Sequence, residues 1–322
     1  MFLEKLGELL ATDMQAVDRV IREQLHSDVV LIRQVAEYII GGGGKRLRPA
    51  LVLLSAGALG YRGTAHHTLA AVVEFIHTAT LLHDDVVDES SLRRGRPTAN
   101  TLFGNAASVL VGDFVYSRAF QMMVNVDDMR VLRVLADATN VIAEGEVLQL
   151  MNCRNADINE ASYLQVIRYK TAKLFEAAGR LGAIISGAPL QAEEAMATYG
   201  SHLGTAFQLI DDLLDYSGET GVIGKNVGDD LAEGKATLPL IRVMRHGSAE
   251  EAAVVRRAVE TGDGADLEAV LAAIRRSGAL DYARRQAEAE AGAACAALSA
   301  IPPTPYRDSL LQLASFAVTR TH

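Results

Sequence analysis

The chain has 322 residues and a mass of 34.5 kDa, with 40 acidic against 31 basic side chains, a formal charge of −9 and a pI near 5.4. That balance excludes a dedicated nucleic-acid binder, whose phosphate contacts need a surplus of Lys and Arg. Hydrophobic residues at 49% with 22% charged exclude a disordered chain, and seven prolines, no tryptophan and long Ala-, Leu-, Glu- and Arg-rich stretches predict an all-α fold.

In chain order, apolar residues recur every three or four positions from Leu3 through Leu6, Leu10, Met14, Val17 and Ile21 to Leu25, the pattern of an amphipathic helix. A second helix follows and breaks at Gly41. Residues 41–49, GGGGKRLRP, read as a loop that ends with Pro49 in the first turn of the next helix. Residues 64–89 predict one long helix, apolar almost all round until its acidic end, and therefore buried. After the loop SSLRRGRPTAN, helical patterns cover residues 105–124, 130–151, 160–185 and 190–217, and no segment alternates long enough to demand a strand. Residues 217–239 form a glycine-punctuated loop whose length itself suggests function. From Ile241 onward the pattern is helical again, broken at Pro302, Pro303 and Pro305.

No linker divides residues 1–322, so a single domain is expected. Cys153 and Cys295 stand far apart with no partner at metal spacing, which argues against a disulfide or zinc framework and fits a reducing, cytoplasmic compartment. The first fifteen residues carry Glu4, Glu8 and Asp13 and lack the apolar run of a signal peptide, and nothing reaches the length of a membrane span.

Two acidic clusters share one spacing: Asp84, Asp85 and Asp88 in DDVVD, and Asp211, Asp212 and Asp215 in DDLLD. Residues four apart share a helix face, so Asp84 projects with Asp88 and Asp211 with Asp215. Each cluster ends a strongly apolar run, where carboxylates are costly to desolvate without a cation. With no set of Cys and His residues of the kind zinc prefers, the oxygens suit Mg²⁺, which typically binds through one or two carboxylates and substrate phosphates. The pattern therefore points to a diphosphate clamped through Mg²⁺. Basic residues in loops and at helix ends supply direct donors: Lys45, Arg48, Arg93, Arg94, Lys170, Lys225 and Lys235. Arg46 and Arg96 read as ordinary surface charge. GGGGKRLRP is no nucleotide P-loop, because Ile39 occupies the first glycine position and Arg46 follows Lys45.

Taken together, GGGGKRLRP, LLHDDVVDESSLRRGRPT, YKTAKLF, FQLIDDLLDYSG and GKNVGDDLAEGKATLPLI resemble the trans-isoprenyl diphosphate synthase family, on its bacterial long-chain side. The resemblance implies a single large antiparallel helical bundle around a deep central cavity, usually a homodimer. It implies that Asp84, Asp88, Asp211 and Asp215 bind Mg²⁺, up to three ions per active site, with Asp85 and Asp212 as nearby carboxylates. Arg93, Lys170, Lys225 and Lys235 would contact the allylic diphosphate, and Lys45, Arg48, His77 and Arg94 would hold isopentenyl diphosphate. Thr171 and Gln208 would line the gap where the new bond forms. A lone His on an apolar helix is more often a core residue, but His77 lies two turns before Asp84 on the same face.

The growing chain would run along the helix preceding Asp84, where short-chain members of the family tend to carry aromatic side chains. Here Ala79 and Thr80 are small and Ile76 continues an apolar wall, which points to a long product; the resemblance implies one of about C40, against C35, C45 or C50, that serves a quinone side chain and passes to membrane enzymes. Three alternatives stay open: a shorter-chain farnesyl or geranylgeranyl synthase, a class I terpene cyclase sharing the first motif, and a non-catalytic subunit that binds prenyl diphosphate. A cyclase typically replaces the second motif, and a non-catalytic subunit would be expected to lose one, but both are intact.

Overall fold

The computed structural model describes residues 2–93, 95–217, 227–262 and 266–320, which are almost wholly helical. α1 (Phe2–Gln24) buries Leu6, Leu10, Val17 and Ile21 along one stripe, as their spacing requires. After α2 (Val30–Gly41) the glycine loop uses its freedom at Gly43 and Gly44, whose φ values of 74° and 147° other residues avoid. Arg46 adopts φ 46° without that freedom, and its guanidinium is ion-paired to Asp18 of α1. α3 (Leu47–Ala58) then carries Pro49 in its first turn.

α4 (Ala65–Val87) is the long apolar helix, with Leu69, Val72, Val73, Phe75, Ile76, Ala79 and Leu82 wholly buried. It packs against α1, α3 and α6 (Asn105–Val124). Between α4 and α5 (Ala99–Phe103) a hairpin of two-residue strands, β1 (Leu92–Arg93) and β2 (Arg96–Pro97), pairs Arg93 with Arg96 antiparallel. Such short strands leave no alternation to read, which is why the sequence predicts only a loop there.

α7 (Met129–Asn152) and α8 (Glu160–Ile167) follow, the latter capped by Asn159, whose side chain accepts from the Ser162 amide at 2.9 Å. The single helix predicted over 160–185 is interrupted. A π-helical turn, Arg168–Ala172, separates α8 from α9 (Lys173–Ile185). α10 (Leu190–Ser217) carries the second acidic motif, and α11 (Asp229–Ala232) is one turn inside the predicted 217–239 loop. The remaining chain forms α12 (Leu238–His246), α13 (Ala249–Thr261), α14 (Leu267–Ser277), α15 (Ala279–Ala297), a 3₁₀ turn (Leu298–Ala300) and α16 (Pro305–Thr319).

The helices group into two compact units, the first comprising Met1–Thr139, Leu174–Gly200 and Ala297–Gln312, the second Asn140–Lys173, Ser201–Ala296 and Leu313–His322. The boundaries fall inside helices, so no linker marks them in the sequence. α4 is the core helix of the first unit. In the second, Leu209, Ile210 and Leu213 of α10 join a core with Val243, Val255, Val259 and Ile274, closed by Ala283 and Ala287 of α15.

Candidate active site

In the first unit, the end of α4 delivers three aspartates into different surroundings. Asp84 and Asp88, four apart, are half-buried, whereas Asp85, about 100° around the helix, is fully buried. The Asp85 carboxylate accepts from Arg93 Nε at 2.9 Å and Nη2 at 2.7 Å, both on Oδ1, while its buried Oδ2 has no hydrogen-bond partner among the described residues. The hairpin makes this pair possible. Ser90 N and Asn100 Nδ2 donate to the Asp85 carbonyl at 3.0 and 3.1 Å, and Thr98 Oγ1 donates to Ser90 O at 2.7 Å, binding the turn back onto the helix.

A pocket on this side of the unit brings His77, Asp85 and Arg93 together. Arg96 is exposed at the rim of this pocket, in keeping with its reading as surface charge: its guanidinium lies 4.6 Å from the Tyr38 ring centroid and donates to Gly41 O at 3.3 Å. Lys45 is exposed on the glycine loop, and Arg48 is half-buried with its guanidinium 4.6 Å from the Phe175 ring centroid; neither lines that pocket. Ile76 and Ala79 are fully buried, and the half-buried Thr80 donates its hydroxyl to His77 O at 2.8 Å. Arg94 lies outside the described residues.

In the second unit, the π turn holds Lys170 and Thr171, and such turns occur frequently at functional sites. Close helix approach depends on Gly145 of α7, where a Cβ would stand 2.6 Å from the Lys170 backbone nitrogen. Lys170 Nζ is ion-paired to Glu146 Oε2 at 2.6 Å. Thr171 Oγ1 donates to Gln208 Oε1 at 3.0 Å, Gln208 Nε2 donates to Asp212 Oδ1 at 2.6 Å, and Tyr163 OH donates to Asp212 Oδ2 at 2.5 Å. This relay fixes the Gln208 amide and commits the Thr171 proton.

Burial is the main force on the Asp212 carboxyl and, with the charge of Asp230, pushes its pKa up to about 7, against the pull of the Tyr163 and Gln208 hydrogen bonds. Burial first, then Asp212, also pushes the Tyr163 phenol well up, so it remains a donor. Asp215 is buried, and Asp230 N donates to its Oδ2 at 3.3 Å. Asp211 is more exposed and ion-paired at 2.6 Å to Nη2 of Arg320, a buried side chain that also donates to Phe207 O at 2.8 Å. Lys235 is paired with Glu233 at 2.5 Å, and Lys225 lies outside the described residues. Tyr163, Glu146, Asp230 and Arg320 were not predicted. Of these, only Asp230 carried a signal, as part of the quoted GDDLAEGK segment. The carboxylate oxygens of Asp211 and Asp215, gathered at the end of α10, are hard donors of the kind a divalent cation such as Mg²⁺ takes.

Residues 29–275 match the family described as polyprenyl synthetase. Over 321 residues, 99% of either chain, the sequence is 57% identical to octaprenyl diphosphate synthase of Escherichia coli (strain K12). The chain belongs to the polyprenyl synthetase family. Solved polyprenyl synthases share its fold: one from Caulobacter crescentus CB15, complexed with calcium and isoprenyl diphosphate, matches with a TM-score of 0.96 at 46% identity, covering 99% of this chain and 98% of that one. A decaprenyl diphosphate synthase from Rhodobacter capsulatus matches with a TM-score of 0.94 at 49% identity, covering 99% of both. As a polyprenyl synthetase of this kind the chain is a prenyltransferase that makes long-chain trans-polyprenyl diphosphates, and its all-α class is as its composition predicts. Among the described residues, no helix is long and apolar enough to cross a membrane.

Proposed function

We propose that the chain adds isopentenyl diphosphate successively onto an allylic diphosphate, with farnesyl diphosphate as primer, to give a product of about C40 for a quinone side chain. The observation that carries this reading is the 57% identity to an octaprenyl diphosphate synthase over 99% of both chains. The chain acts over its whole length as one synthase domain, in the cytoplasm and as a homodimer. Leu110, Val124 and Met129 in the first unit and Val147, Leu150 and Met151 in the second are exposed, and a second copy would cover such apolar surface.

Asp84 and Asp88, with Asp211 and Asp215, would hold Mg²⁺. When bound, the ions offset the charge that develops on the departing pyrophosphate. The chain's own donors do the rest. Lys170, Lys225, Lys235 and Arg93 bind the allylic diphosphate, and the acidic partners of Lys170, Lys235 and Arg93 hold those cations in place beforehand. Lys45, Arg48, His77 and Arg94 bind isopentenyl diphosphate. Because the Thr171 proton is committed to Gln208, its oxygen lone pairs remain for the allylic cation. No protein nucleophile is needed, because the allylic C–O bond ionises to release pyrophosphate and the isopentenyl double bond attacks the resulting cation; the proton then lost goes to that pyrophosphate. Water must be kept out, because it would trap the cation.

Purified protein incubated with farnesyl diphosphate, labelled isopentenyl diphosphate and Mg²⁺ is expected to yield a product near C40 by mass, and none with EDTA. A C15 or C20 ceiling would refute the chain length, and no elongation at all would move the reading to a binding subunit.

Arg320 also has an expected effect under this reading. Its ion pair fixes the rotamer of Asp211, so Arg320→Met, which keeps much of the apolar stem, is expected to raise the Mg²⁺ concentration for half-maximal turnover several-fold. The lost hydrogen bonds are expected to cost about 1–3 kcal/mol of stability. An unchanged Mg²⁺ dependence would assign Arg320 to packing alone.

A further inference from the structure

At the opposite end of α4 from its aspartates, three side chains meet that the synthase reaction does not use. Asp13 of α1 points its Oδ1 at His67 Nε2, 2.8 Å away, and at His66 Nε2, 3.4 Å away. The two imidazoles lie against each other with centroids 3.9 Å apart, and one potential ligand atom from each of the three residues lies within 4.8 Å of the others. We propose that Asp13, His66 and His67 form a binding site for a divalent transition-metal ion of the zinc class, which ties α1 to the start of α4.

Three observations carry this. First, the spacing fits: metal–nitrogen and metal–oxygen bonds of about 2.0–2.2 Å in tetrahedral array place ligand atoms about 3.3 Å apart. Asp13 and His66 already stand at that separation, and His67 reaches it by withdrawing about half an ångström. Second, the donor set of two imidazoles and one carboxylate selects zinc-like ions over Mg²⁺, which the oxygen-only aspartate motifs favour. Third, the ion-free arrangement is poorly satisfied. One Asp13 oxygen faces both ring nitrogens, at 2.8 and 3.4 Å, and the two rings lie tilted against each other at 33°.

The site stands apart from the chemistry. His67 precedes Asp84 by seventeen residues, roughly 25 Å along a helix. Its effect would therefore be on stability, through clamping α1 onto the α4 core helix, since an ion that binds only the folded chain stabilises it by mass action.

The test uses full-length protein stripped with chelator and dialysed. Titration with ZnCl₂ by calorimetry is expected to show one more equivalent bound by the parent than by Asp13→Asn/His67→Gln, with zinc held at the aspartate motifs cancelling in the comparison. CoCl₂ is expected to give tetrahedral visible bands in the parent alone, and saturating Zn²⁺ to raise the parent's melting temperature by about 5 °C more than the variant's. Mg²⁺-dependent condensation by the variant should be unchanged. Equal stoichiometry and equal thermal response would overturn the site. Should the double variant fold poorly, His67→Gln alone is read by the same cobalt bands, whose persistence at parental intensity would likewise overturn it.

Discussion

Replacing Asp84 with Asn is expected to lower turnover about a thousandfold while leaving stability within about 1 kcal/mol, whereas Asp85→Asn is expected to destabilise the fold. The two residues are neighbours, but α4 turns them into different media. Asp84 is half-buried beside Asp88, where a carboxylate can exchange water for a metal ion, and Asp85 is wholly buried with its charge answered by Arg93. Removing one partner of a buried pair costs 3–5 kcal/mol in the limiting case, and Arg93, 26% exposed, recovers part of that in water. About 2–3 kcal/mol is therefore expected for Asp85→Asn, with a smaller direct effect on Mg²⁺ dependence. Thermal melts beside Mg²⁺ titrations of turnover separate the two roles. Parallel losses in both variants, in both measurements, would sink the distinction between a metal ligand and a carboxylate that positions Arg93.

What the sequence makes legible is whatever depends on periodicity and local composition. The α4 helix is readable because its apolar residues are continuous and its acids lie together at one end, and the same holds for the end of α10. Identical spacing in two places carries the chemical argument, since neither cluster alone excludes a solvated surface. Features that depend on one distant contact are not readable. RYKTA has no composition that distinguishes a π turn from an α turn, and the turn packs against the backbone only because Gly145, far away in sequence, lacks a side chain. Arg320, just past the end of α16, resembles any surface arginine until it is found buried against Phe207 and Asp211. Tyr163 reads as helix core, and it is core, but its hydroxyl completes the Asp212 relay. Local patterns thus identify the acidic motifs, and tertiary contacts decide which carboxylates are left open to a cation.

Ala79→Phe is expected to shorten the main product from about C40 towards C15 or C20, and product length is a more secure readout than rate. Ala79 is wholly buried on the core helix of the first unit, so a phenyl group there is an overpacking substitution that costs about 1–3 kcal/mol on its own account. A variant that is merely destabilised contains fewer active molecules and makes less product, but each active molecule still elongates to the same length. A ring that blocks the path of the growing chain instead stops every molecule early, and the mass distribution shifts whatever the yield. Ile76 and Val73, one and two turns further along, are also fully buried and apolar. A large side chain at Ile76 is accordingly expected to stop elongation at an intermediate length, about one isoprene unit later, because one helical turn spans about 5.4 Å. Product sizing across Ala79→Phe and Ile76→Phe, with melting temperatures recorded for both, tests this ordering. Reduced yields at unchanged length would place the growing chain along another wall of the fold.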